Sequence, residues 1–102
     1  MSLGDTISEA RRRLGYTQKY LANCIQKPDG GPITPQYLND IEHDRRTPSS
    51  PQMIEQFAKA LKVEPEVLYF EAGTLPSDIT KETVEAERIV AAFRAFRKKL
   101  RS

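Results

Sequence analysis

The chain has 102 residues, 38% of them apolar and 29% charged, a balance that fits one small packed domain with at most an appendage and excludes a disordered chain. No apolar run approaches the roughly 18 residues of a membrane span, and residues 1–10 lack the basic start and apolar centre of a signal peptide, so a cytoplasmic protein without membrane contact is expected. The net charge of +2 is uneven, with nine Lys/Arg against eleven Asp/Glu in residues 1–79 and seven against three in 80–102, which excludes bulk charge in the larger part as a basis for binding polyanions.

Helix punctuation recurs along the chain and strand patterns are absent, which predicts an all-α fold. Asp5 or Thr6 can cap a first helix with Ile7, Ala10 and Leu14 on its inner face, and Gly15 can close it in a left-handed conformation. Thr17 can cap a second helix whose inner face is Tyr20, Leu21 and Ile25, ended by Pro28. Cys24 in that helix, the only cysteine, has no disulfide partner and no metal-ligand spacing around it, and reads as a small buried residue. Lys27-Pro28-Asp29-Gly30-Gly31-Pro32 is a loop by composition.

Thr34 can cap a third helix over 35–42, with Pro35 in its first turn and Leu38 and Ile41 inward. After a loop over 43–49, Ser50 and Pro51 begin a fourth helix buried along Ile54, Phe57, Ala58 and Leu61. Pro65 begins a short fifth helix through Val67, Leu68 and Tyr69 that stops near Gly73. Thr80 or Ser77 can cap a further helix over about 81–100, with Ala86, Ile89, Phe93, Phe96 and Leu100 on one stripe largely surrounded by Arg and Lys. The domain division expected is 1–75 and 76–102.

The segments Gly15-Tyr16-Thr17-Gln18-Lys19-Tyr20-Leu21-Ala22 and Ile33-Thr34-Pro35-Gln36-Tyr37-Leu38-Asn39-Asp40-Ile41-Glu42 read as two helices ordered around a turn, the second exposing polar side chains. This pattern resembles the phage-repressor-like (Cro/cI-type, xenobiotic-response-element) helix-turn-helix family over roughly 7–69. The resemblance implies a five-helix, lambda-repressor-like DNA-binding domain with an additional C-terminal helix. It also implies that Gln36, Tyr37 and Asp40, with Pro35 and Asn39 at the margins, read bases. Gln36 can pair with adenine N6 and N7, and Asp40 can accept from cytosine N4. Gln18 matches the family's phosphate-binding Gln. Thr17, Lys19 and Thr34 join it at the phosphates, and Arg45, Arg46 and Thr47 match positions that clamp the backbone after the third helix.

The sequence departs from the family pattern twice. The connection before Ile33 is six residues longer than usual, so the angle between second and third helices must come from packing of Leu21, Ile25, Ile33, Leu38 and Ile41. His43-Asp44 stands where relatives commonly have a polar residue and Gly. The resemblance further predicts an ion pair between Arg11 and Glu42.

Other readings of the same residues are weaker. Gly30-Gly31 lacks the remaining residues of a phosphate loop and reads as a surface insertion. His43 beside Asp44 has no nucleophile or metal set around it, and Tyr37 could equally be a packing residue. No catalytic cluster, metal site or cofactor site is visible, so a non-enzymatic protein is expected. The C-terminal stripe must find an apolar surface: its own domain, a second copy, or a membrane surface or other protein. The function expected is a transcriptional regulator, a repressor binding an inverted repeat of double-stranded DNA as a homodimer. Its rival is an antitoxin-like module whose C-terminal helix sequesters a protein partner.

Overall fold

A computed structural model describes all 102 residues and contains seven helices and no extended strand. They are α1 (Leu3–Arg13), α2 (Gln18–Cys24), α3 (Pro35–Glu42), α4 (Pro51–Leu61), α5 (Pro65–Ala72), α6 (Ser77–Thr80) and α7 (Ala86–Arg101). Helices α1 to α5 enclose a core in which Ile7, Leu21, Ile25, Leu38, Ile41, Phe57, Leu61 and Leu68 are wholly shielded from solvent. α3 packs against both α1 and α2, and α4 against α1, α2 and α5. The inward faces expected of α3 and α4 are buried, as are Ile7 and Ala10 of α1, while Leu14, at the end of α1, is only partly buried against the core.

Local chemistry sets most helix ends. The hydroxyls of Thr17, Thr34 and Ser50 accept from the N–H groups of Tyr20, Tyr37 and Met53 at 3.0, 3.0 and 3.2 Å, satisfying donors that a helix start leaves without partners. Gly15, at φ +75°, closes α1 with two backbone bonds, Tyr16 N–H to Arg11 O and Gly15 N–H to Arg12 O, both 3.0 Å.

The start of α1 differs from expectation. Ser2, not Asp5 or Thr6, is its cap, and Asp5 returns the bond to the Ser2 N–H. Asp44 then joins from the far end of α3: its carboxylate accepts from Ser2 Oγ at 2.6 Å and from the Gly4 N–H at 2.9 Å. These two donors, Ser2 foremost, hold the Asp44 carboxyl below its usual range. The resulting stability is complete above the unfolded carboxylate value, about 3.9, and is lost as pH falls through the lower folded value. Asp44 sits at φ +59°, which accounts for Gly at this place in relatives and for a residue that tolerates the left-handed region here.

The same contact fixes Gly4. A Cβ there would lie 2.5 Å from the carbonyl oxygen of Glu42 and 2.6 Å from that of Ile41, so the positive end of α1 rests directly on the carbonyl end of α3. Gly4→Ala is expected to force these backbones apart and cost about 1–3 kcal/mol, read as a lower urea midpoint. An unchanged midpoint would show that α1 can shift freely against α3.

The long connection is an ordered hairpin. Lys27 N–H donates to Gly31 O (2.9 Å), Gly30 N–H to Lys27 O (3.0 Å) and Ile33 N–H to Ile25 O (2.9 Å). Pro28 in the turn and positive φ at Gly30 and Gly31 suit this tight reversal. Ile25 and Ile33 root both ends in the core, and Gln56 of α4 clamps Gln26 by accepting its N–H and donating to its C=O. Leu21, Ile25, Ile33, Leu38 and Ile41 are all buried, as the packing argument requires.

Three sequence-based expectations are corrected. Cys24 is exposed, because α2 ends there and no element covers that side. Tyr20 is 52% exposed and stacks beside Tyr16 instead of entering the core. The C-terminal helix begins at Ala86, after the four-residue α6 and an irregular segment containing β-branched Thr83 and Val84.

Candidate nucleic-acid interface

The expected reading helix, α3, is short but firmly oriented. Leu38 and Ile41 anchor its inner side, leaving Pro35 and Gln36 exposed and Tyr37, Asn39 and Asp40 partly so. Behind it lies the Arg11–Glu42 pair: Arg11 Nε meets Glu42 Oε2 at 2.6 Å and Nη2 meets Oε1 at 3.1 Å. Arg11 Nη1 also donates to Tyr16 O at 2.8 Å. The two side chains are only 11% and 3% exposed, so the pair joins α1 to α3 in a largely desolvated place.

Gln18 enters the same network. Its Nε2 donates to Asn39 Oδ1 and Glu42 Oε1, both at 3.1 Å. Both amide hydrogens, which the family comparison points toward a phosphate, here tie the start of α2 to α3. Thr17 and Thr34 accept helix N–H groups and keep hydroxyl hydrogens to donate. Lys19 is exposed beside Thr17 on the first turn of α2. The Tyr20 phenol is held above its usual range, first by Cys24 and then by Tyr16.

The segment after α3 folds back on it. Arg45 reaches Asp40 Oδ1 through Nε at 3.3 Å and Nη2 at 3.2 Å, and Gln36 Nε2 donates to the same oxygen at 3.1 Å. The Arg46 guanidinium lies 4.7 Å above the Tyr37 ring centre, a cation–π contact that makes Tyr37 a platform for the loop. Thr47 is exposed next to it. His43 donates from Nδ1 to Asn39 O at 2.8 Å, while Asp44 faces Ser2 and Gly4, so the two do not form an acid–base pair. The sequence could not show that Asp40 serves two neighbours or that Gln18 points inward, since both depend on rotamers across a tertiary contact.

Beyond this surface, no residue of α7 is buried. Ile89, Val90, Phe93, Phe96 and Leu100 are 45–58% exposed, and Phe70, 62% exposed, meets Phe96 with ring centres 6.4 Å apart. Val67, Leu75 and Ile79 are further exposed apolar side chains in the region from α5 to α6. Burial of the stripe against its own domain is not what the structure shows. No helix is long and apolar enough to cross a membrane.

This arrangement, a capped helix presenting polar side chains and a second helix braced across it, defines a helix-turn-helix protein. The helix-turn-helix family model matches residues 7–68: the chain belongs to the phage-repressor-like, Cro/cI-type helix-turn-helix family of DNA-binding transcriptional regulators. No curated protein matches the sequence. Among solved structures, the chain is similar to SinR, described as the master regulator for biofilm formation, in complex with DNA. That likeness has 27% identity and a TM-score of 0.52, over 65% of this chain and 95% of that one. It is also similar to a chain of the SinR/SinI protein complex, with 25% identity and a TM-score of 0.53, over 95% of this chain and 98% of that one.

Proposed function

We propose that the chain is a repressor that binds an inverted-repeat operator as a homodimer and occludes a promoter. The observation that carries this reading is the polar face of α3, held against α1 and α2 by the Arg11–Glu42–Gln18 network. Gln36 is the adenine reader, with Pro35, Tyr37 and Asn39 beside it in the major groove. Thr17, Lys19, Thr34, Arg46 and Thr47 fix register on the phosphates, and Gln18 contributes by orienting Asn39 and Glu42. The similarity to SinR, whose structure is in complex with DNA, supports DNA binding by this chain.

The exposed stripe of α7 supports the dimer. Glu85 and Glu87 stand at the start of α7 and Arg97, Lys98, Lys99 and Arg101 at its end. Antiparallel pairing with a second copy sets acidic ends beside basic ends, aligns the helix dipoles favourably and places Phe93 against Phe96 of the partner. The SinR/SinI complex favours a second reading, in which a different protein covers this face. A stoichiometric partner protein retained through purification would support it.

The DNA contacts divide by role. Gln36→Ala is expected to relax preference at one base pair by about 1–3 kcal/mol, whereas Arg46→Ala weakens binding to all sequences alike and lowers the salt slope by about one unit. Titrations against operator and scrambled DNA test both. Unchanged discrimination by Gln36→Ala would mean that α3 does not read bases through this residue.

A further inference from the structure

We infer that Arg45, braced by Asp40, reads a guanine, and that Asp40 is its positioning residue; this rests on the reading of α3 as the recognition helix. Arg45 meets Asp40 Oδ1 with one edge of its guanidinium, through Nε at 3.3 Å and Nη2 at 3.2 Å. The other edge, Nη1 and the second Nη2 hydrogen, points two parallel donors away from that bond. Guanine O6 and N7 are the two adjacent acceptors in the major groove that match such a fork.

Charge decides between a base and a phosphate. With the Asp40 carboxylate against it, the Arg45 guanidinium carries little net positive field, and the carboxylate repels an approaching phosphate. A neutral guanine edge suffers no such penalty. Arg46 makes no ion pair and lies over Tyr37, so its full charge remains for the DNA backbone.

Position agrees with charge. Asp40 and Gln36 are one helical turn apart on the same face and share a hydrogen bond, so the brace ties Arg45 to the side of α3 that carries the adenine reader. The Arg45 N–H also donates to Asp40 O at 2.9 Å, which fixes the backbone from which the side chain departs. Both bonds fall on Asp40 Oδ1, so Oδ2 keeps its capacity to accept from a neighbouring cytosine N4.

The test is the affinity of full-length protein for a site selected from random DNA and for its single base-pair variants. Arg45→Lys keeps the charge but removes the fork. It is expected to lower discrimination at one G·C pair by about tenfold, with affinity for scrambled DNA and the salt slope unchanged. Asp40→Ala is expected to lower discrimination at that same pair, and Asp40→Glu to restore part of it, a pattern that a general loss of folding would not give. Discrimination retained at every G·C pair in Arg45→Lys would overturn the inference while leaving α3 as the reading helix. A uniform loss across all base pairs with a lower salt slope in Arg45→Ala would make Arg45 a phosphate clamp. Failure of the unaltered protein to select any site would overturn the reading on which the inference stands.

Discussion

Arg11→Met is expected to destabilise the domain by about 3–5 kcal/mol, because it leaves the Glu42 carboxylate, 3% exposed, without its cation. That is a large share of the roughly 5–15 kcal/mol available to a small domain. Glu42→Gln should be costly for the complementary reason, since Arg11 would face an amide that can accept but carries no charge. The double variant should recover part of the loss, giving a coupling energy in a thermal or urea cycle. Strictly additive losses would show that the two side chains do not act as a pair. Gln18 donates to Glu42 and to Asn39, so the same substitutions should also loosen Asn39 at the DNA surface.

The second large effect concerns α7. The double substitution of Phe93 and Phe96 by Asp removes two half-exposed rings and is expected to convert a dimer into a folded monomer. Burial of each ring is worth roughly 1.5–3 kcal/mol. In the proposed dimer, two α3 helices held about one DNA turn apart, roughly 34 Å, would convert the second half-site contact into an intramolecular step. Its loss should weaken binding to an inverted repeat by about 10²- to 10⁴-fold while half-site affinity stays the same. Sedimentation of both proteins checks the assignment. A full-length monomer at tens of micromolar would contradict it, and a variant that stays dimeric would move the interface to the exposed Val67 and Phe70 of α5.

How far the sequence carries depends on the range of the interaction. Caps act over three residues, and Thr17, Thr34 and Ser50 each cap the helix expected of them. The bounds of α3 follow from Thr34-Pro35 and the inward pair Leu38 and Ile41. The Arg11–Glu42 pair came from family position, with no local signal to announce it.

What escaped the sequence lies across tertiary contacts. Ser2 is recognisable as a cap once Asp5 is read as its return partner, but its second acceptor, Asp44, is 42 residues away. The loop 27–32 has the composition of a turn, while the Gln56 clamp that orders it belongs to another helix. Cys24 read as buried by residue type, and the end of α2 leaves it uncovered. Position in the motif implies separate roles for Asp40 and Arg45, and only side-chain geometry joins them.

The central claim is that α3 of two paired chains reads an inverted repeat. Selection from random double-stranded DNA by the purified full-length protein, at a stated salt concentration because phosphate contacts make affinity salt-dependent, tests it most directly. The account predicts enrichment of a palindrome whose half-sites are centred about 10 base pairs apart, or a multiple of that. Enrichment of an asymmetric single site would contradict the dimer, and recovery of unbiased sequence would contradict base reading by α3.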